Sequence, residues 1–102
     1  MDTIVVGIDF SKSSLTAMKV SIDIAARANA DLHIVWVETV EMPYDKAEEK
    51  LKEYANKAKE KLNNSEAYYH ILPKGKVYLI LNKAIKEFDA DLLVVGTHGN
   101  SG

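Results

Sequence analysis

The chain has 102 residues, 47% hydrophobic and 27% charged, with a formal net charge of −2 and no cysteine. That length supports one hydrophobic core, and the lack of thiols removes disulfides, cysteine catalysis and thiolate metal sites. No clustered Lys/Arg excess points to nucleic acid, no apolar run is long enough for a bilayer, and Met1-Asp2-Thr3-Ile4 lacks the basic start of a secretory signal, so the expected compartment is the cytoplasm.

Thr3 to Ile8 is short, β-branched and apolar without alternation, as in a central parallel strand covered on both faces. Asp9-Phe10-Ser11-Lys12-Ser13-Ser14 follows, rich in side chains that cap helix starts. From Ser14 to about Ala28, Leu15, Met18, Ile22 and Ala25 keep helical spacing, which Asn29-Ala30-Asp31 breaks. Leu32 to Val37 reads as a second strand, and Pro43 separates it from a long charged helix, Tyr44 to Leu62. That helix has a narrow apolar stripe of Ala47, Leu51, Tyr54, Ala58 and Leu62. Asn63-Asn64-Ser65 is a polar loop despite its sequon pattern. Ala67 to Leu72 makes a third strand, and Pro73-Lys74-Gly75 a turn. Val77, Ile80, Leu81, Ala84, Ile85 and Phe88 give the clearest helical stripe in the chain.

The final stretch runs from Asp91 through Leu92-Leu93-Val94-Val95, read as a fully buried strand, into Gly96-Thr97-His98-Gly99. Glycines there would let the main chain turn at positive φ and approach an anion without a Cβ in the way. The sum is β-α-β-α-β-α-β: an α/β fold in three layers, with a doubly wound parallel sheet and right-handed crossovers. In such sheets ligands sit outside the carboxyl ends of the strands, where the winding reverses. Asp9 and the Gly96–Gly99 loop share one crevice if the first and fourth strands are neighbours.

With these elements in place, the chain resembles the universal stress protein family. The residues that carry the resemblance are Val-Val-Gly-Ile-Asp-Phe-Ser at the start, Ile34-Val35-Trp36-Val37, the Gly75 turn, and Asp91 to Gly99. The resemblance implies strand order 3-2-1-4-5, adenine-nucleotide binding, commonly ATP with Mg²⁺, and a Gly-x2-Gly-x9-Gly-(Ser/Thr) motif after strand four. It implies that Asp9 holds the adenosine end, that Gly7 and Ile8 form backbone walls, and that Val37 packs on the adenine. Val95, Gly96 and Thr97 then flank the nucleotide, and Gly99 opens the phosphate loop. Measured against that pattern the chain reads as shortened at its C-terminus. The third glycine, the fifth strand and the fourth helix fall beyond Gly102, and Val77 stands where many relatives have Pro. The expected order is therefore 3-2-1-4 in one domain, residues 1–102.

Each sharp reading has a plainer partner. Asp9 serves either the ligand or the start of the first helix; Gly96 and Gly99 either meet phosphate or simply turn the strand exit. No lysine accompanies the glycines, which excludes a P-loop NTPase. His98 with Asp9 and Ser11 or Ser101 makes no nucleophile elbow, and no robust catalysis is expected. His33, His70 and His98 lack metal-ligand spacing and read as solvated or core histidines. An adenine-nucleotide hydrolase of the same broad fold lacks its Ser-Gly-Gly-x-Asp-Ser loop here. The leading expectation is a cytosolic stress-response module that binds ATP as a sensor and dimer switch. It would self-associate through strand four (Leu92, Leu93, Val94, Val95), left as an open apolar edge. The alternative is an interaction module of the same fold that binds no nucleotide.

Overall fold

The computed structural model describes residues 1–96, so Thr97, His98 and Gly99, with the rest of the loop, lie outside it. The element order is β1 (Thr3–Ile8), α1 (Lys12–Ala28), β2 (Asp31–Val37), α2 (Tyr44–Lys61), β3 (Ala67–Leu72), α3 (Val77–Phe88) and β4 (Leu92–Val95). The four strands form one parallel sheet in the order β3-β2-β1-β4. The chain therefore winds away from β1 on one side through β2 and β3, then returns to its other side as β4. The reversal falls between β1 and β4.

The unalternating run of β1 is explained by its two covered faces. Ile4, Val6 and Ile8 pack with Leu32, Ile34 and Trp36 of β2 against Met18, Ile22 and Ala25 of α1 and Leu51, Ala55 and Ala58 of α2. Val5 points the other way and packs with Val35, Val37 and Leu81 of α3. The first face holds the main core, with Trp36, Ile4, Leu32, Ile34 and Leu51 all essentially inaccessible. Each such side chain contributes about 1.5–3 kcal/mol by leaving water.

The second face is thinner. Only Leu81 and Ala84 of α3 are fully buried, whereas Val77, Tyr78 and Leu79 are exposed. The strand β4 correspondingly departs from the buried strand expected: Leu92, Leu93 and Val94 are half-buried and Val95 is 45% exposed. Among the described residues β4 pairs only with β1, so it lies at the sheet margin; Leu92 and Val94 pack on the main core and Leu93 on the α3 side.

The N-terminal ends of the strands are tied by one device used twice. Helix α1 ends at Asn29 and α3 at Asp89, each in the left-handed region at φ 53°. Each is followed by Ala and then Asp, and the amides of Ala30 and Ala90 donate to the carbonyls of Ala25 and Ile85. These are reverse turns that satisfy the last helical carbonyls. The Asp that follows then accepts from the neighbouring strand's approach. Asp31 takes the Glu66 amide at 2.9 Å, and Asp91 takes those of Asp2 at 2.7 Å and Thr3 at 3.1 Å. Those two amides hold the Asp91 carboxyl below the usual carboxylate range.

Candidate functional site

At the opposite end of the sheet the exits of β1 and β4 lie side by side, in register at Gly7 and Val95. A cleft of ≈ 130 Å³ opens there, bounded by Gly7, Ile8 and Asp9 of the β1 exit and by Val95 and Gly96 of the β4 exit. Val35, Val37 and Thr39 from the β2 side and Val77 and Leu81 of α3 complete its walls, with Ser14 from the first turn of α1. Of the residues singled out in the sequence, Gly7, Ile8, Asp9, Val37, Val95 and Gly96 thus border one space. Ile8 does so through its backbone side, since its side chain is in the core beneath α1 and α2. Thr97 and Gly99 lie outside the described residues.

Close approach favours one glycine here and requires another. A Cβ on Gly7 would lie 3.1 Å from Leu81 Cδ1 and 3.3 Å from Val95 Cγ1, so the bare backbone lets α3 and β4 close over the strand exit. A Cβ on Gly96 would lie 2.3 Å from the Ser13 carbonyl oxygen and 2.6 Å from the Ser14 nitrogen. Gly96 is therefore where the β4 exit presses against the backbone of α1's first turn. At this position the glycine answers to contact, where the sequence suggested a positive φ.

The β1–α1 connection sorts its side chains between the two faces. Phe10 adopts the left-handed region at φ 67°, an uncommon conformation for a bulky residue. It reaches the main core side, its ring 5.7 Å from Trp36 and 6.1 Å from Tyr54, with Lys50 Nζ 5.9 Å from its centroid. Asp9 meanwhile borders the cleft. Asp9 Oδ1 accepts from the Ser11 amide at 2.9 Å, and Ser11 Oγ accepts from the Ser14 amide at 3.2 Å. Ser11, rather than Asp9, is the cap of α1. Asp9 is thus not the helix cap: its carboxylate orders the turn ahead of α1, and the residue borders the cleft.

The chemistry available is that of a binding site. Apolar side chains of Val35, Val37 and Leu81 suit a ring, and an aspartate among the lining residues suits hydroxyl or amino donors. Among the described residues no group of three or more His, Cys, Asp or Glu could hold a metal ion. A larger groove of ≈ 480 Å³ lies between α1 and α2, walled by Leu15, Met18, Ile22 and Tyr54 with Lys57 and Lys61 at its edge. The strand-exit cleft sits at the winding reversal, where ligands bind in sheets of this kind, and is the better site. Sequence reasoning missed Ser14, Val35, Thr39, Val77 and Leu81. Val35 could have been found from the alternation that places it on the same face as Val37.

Known proteins bear on this arrangement. No curated protein sequence matches the chain significantly. A universal stress protein from Burkholderia pseudomallei superposes with a TM-score of 0.81 at 22% identity, covering 95% of this chain and 82% of that one. A Mycobacterium tuberculosis protein gives 0.72 at 32% identity, covering 99% and 75%. A universal stress protein in complex with cAMP gives 0.73 at 29% identity, covering 99% and 80%. The family model described as "Universal stress protein family" matches residues 1–102. The chain belongs to the universal stress protein family.

Proposed function

We propose that this protein binds an adenine nucleotide in the cleft at the exits of β1 and β4. The observation that carries the reading is the meeting of the Asp9 carboxylate, the close-packed backbone at Gly7 and Gly96 and the apolar wall of Val35, Val37 and Leu81 around one opening. Solved family members hold cAMP, dAMP and AMP, so adenine is the expected base. The small volume suits the base, with the ribose near Asp9 and the phosphates toward Gly96. ATP with Mg²⁺ is the fuller form of the proposal, with Asp9 the carboxylate nearest the metal. In this reading the protein is a cytosolic sensor whose nucleotide state sets its self-association through β4.

Calorimetric titration of AMP and of ATP with Mg²⁺ into wild type, Asp9→Asn and Asp9→Ala tests this. Asp9→Asn keeps an oxygen for the Ser11 amide but removes the charge. Affinity should fall by at least about tenfold in both variants. Equal affinity in all three proteins would remove Asp9 from the site. No heat with any nucleotide would favour the interaction-module reading, which draws on the exposed apolar residues Val77, at 53%, and Val95, at 45%, on the cleft rim. Sedimentation with and without nucleotide tests the switch, and an unchanged monomer under both conditions would remove it.

A further inference from the structure

Away from the cleft, on the thinner face of the sheet, two histidines meet. His33 of β2 and His70 of β3 lie 2.8 Å apart, Nδ1 to Nε2. Their rings are 5.0 Å apart and nearly parallel, and the Phe88 ring stacks 4.5 Å from each. The Tyr68 ring also stacks on His33, 4.9 Å between centroids. Phe88 is the last residue of α3, and Val77 and Leu81 in the first half of the same helix wall the nucleotide cleft. One 12-residue helix therefore rests on the histidine pair at one end and on the cleft at the other.

A hydrogen bond between two imidazoles needs a proton on one nitrogen and a lone pair on the other. When both rings are protonated, two N–H donors and two positive charges face each other across 2.8 Å. The pair must then separate or draw in water, and Phe88 loses its flat seat. Burial lowers the proton affinity of both rings, and charge on His33 lowers that of His70 further. Asp31 opposes this at His33. Tyr68, the Phe88 ring and Val5, the β1 residue opposite His33, also adjoin the pair, and Lys52 and Lys59 of α2 share a groove with His70 and Tyr68. The charged residues Lys83, Lys86 and Glu87 of α3 are exposed.

We infer that the His33–His70 pair is an acid-sensitive latch on α3, and that through α3 it weakens nucleotide binding in the strand-exit cleft as the pH falls. The second half rests on the nucleotide reading above; the first does not. Both histidines are lowered from their ordinary value of about 6.5, so the folded state prefers them neutral. Stability from the neutral pair is fully present above about pH 6.5 and is lost as the pH drops through the lowered values. By reciprocity, a nucleotide that favours seated α3 lowers the pair's proton affinity further.

NMR of the ligand-free protein between about pH 7.5 and pH 5 tests the latch, following the imidazole ring signals and the exchange protection of α3 amides. Wild type should lose α3 protection with acid, while His33→Phe/His70→Phe, which keeps the stack but cannot titrate, should not. His70→Gln, which keeps a donor to His33, should respond about half as steeply and serves if the double variant does not fold. AMP titrations at the two pH values should show affinity falling by about tenfold in wild type and staying level in the double variant. Equal acid response of α3 in wild type and double variant would overturn the latch. A wild-type affinity that does not change with pH would overturn its coupling to the cleft. If AMP binds at neither pH, the nucleotide reading and that coupling fall together, while the α3 response still decides the latch.

Discussion

Gly96→Ala is the substitution whose cost the structure defines most closely. The added Cβ would sit 2.3 Å from Ser13 O, 2.4 Å from Ser13 C and 2.6 Å from Ser14 N, all backbone atoms of α1's first turn. Moving from 2.3 Å to an ordinary contact near 3.4 Å requires a displacement of about 1.1 Å. No side-chain rotation supplies it, so either the β4 exit or the start of α1 must move. Overpacking of this kind costs about 1–3 kcal/mol, and the backbone partners place this case in the upper half. At about 4–8 °C per kcal/mol for a domain of this size, the melting temperature should fall by roughly 10 °C or more. Gly7→Ala is the internal comparison: its Cβ meets Leu81 Cδ1 at 3.1 Å, and a leucine terminus can yield. It should lose about 1 kcal/mol. Thermal and urea unfolding of both variants measure the difference, and AMP titration measures the widened cleft. If Gly96→Ala melts within about 2 °C of wild type, or above Gly7→Ala, the close packing of the β4 exit on α1 is wrong.

Other expectations follow from single contacts. Trp36→Ala empties the largest fully buried position in the main core and should cost about 3–5 kcal/mol in urea unfolding. A loss below about 1 kcal/mol would mean that this core is not packed as described. Phe10 occupies a left-handed conformation that glycine accepts and alanine does not. Both Phe10→Gly and Phe10→Ala lose the contacts with Trp36 and Tyr54, so both should destabilise, with the glycine variant the more stable by about 1 kcal/mol. The reverse order would exclude backbone strain at this turn. Asp91 is held below its ordinary range by the amides of Asp2 and Thr3, so its folded-state contribution is present above about pH 4 and lost as the pH falls through the lowered value. Asp91→Asn should therefore flatten the acid limb of the stability profile below about pH 4 and leave the limb attributed to the histidines intact. An unchanged acid limb would assign that loss to other carboxylates.

Strand and helix limits were largely legible because the apolar patterning and the breakers agree. Pro43, Asn63-Asn64-Ser65 and Pro73-Lys74-Gly75 bracket α2 and β3 where the structure places them. The start of α1 came earlier than Ser14 because Ser11 accepts from the Ser14 amide and extends the helix back to Lys12. In α2 the buried position is Ala55, while its neighbour Tyr54 lies half-buried at the margin of the stripe, beside Phe10. Ser14 reads from the sequence as a capping residue and Ser21 falls outside the apolar stripe, yet both are buried, their hydroxyls donating to the Ser11 and Met18 carbonyls. Strand order was not contained in periodicity. It came from the family resemblance, and the structure shows the same 3-2-1-4 order. The candidate site was legible at its β1 and β4 exits, where glycine and aspartate mark it. Its α3 wall was hidden, because Val77 and Leu81 look like any core stripe until the sheet order places both at the cleft and Leu81 against Gly7. The histidine pair was hidden for the same reason: positions 33 and 70 meet only once β2 and β3 are side by side.

The most direct test of the central claim is a map of backbone amide shifts on titration with AMP. Binding between the strand exits predicts the largest changes at Gly7, Ile8, Asp9, Val95 and Gly96, with smaller ones at Val37 and Leu81, all reduced at equal ligand concentration in Asp9→Asn. Changes centred on Leu15, Ile22 and Tyr54 in the α1–α2 groove would contradict it, as would a spectrum that AMP leaves untouched at millimolar concentration.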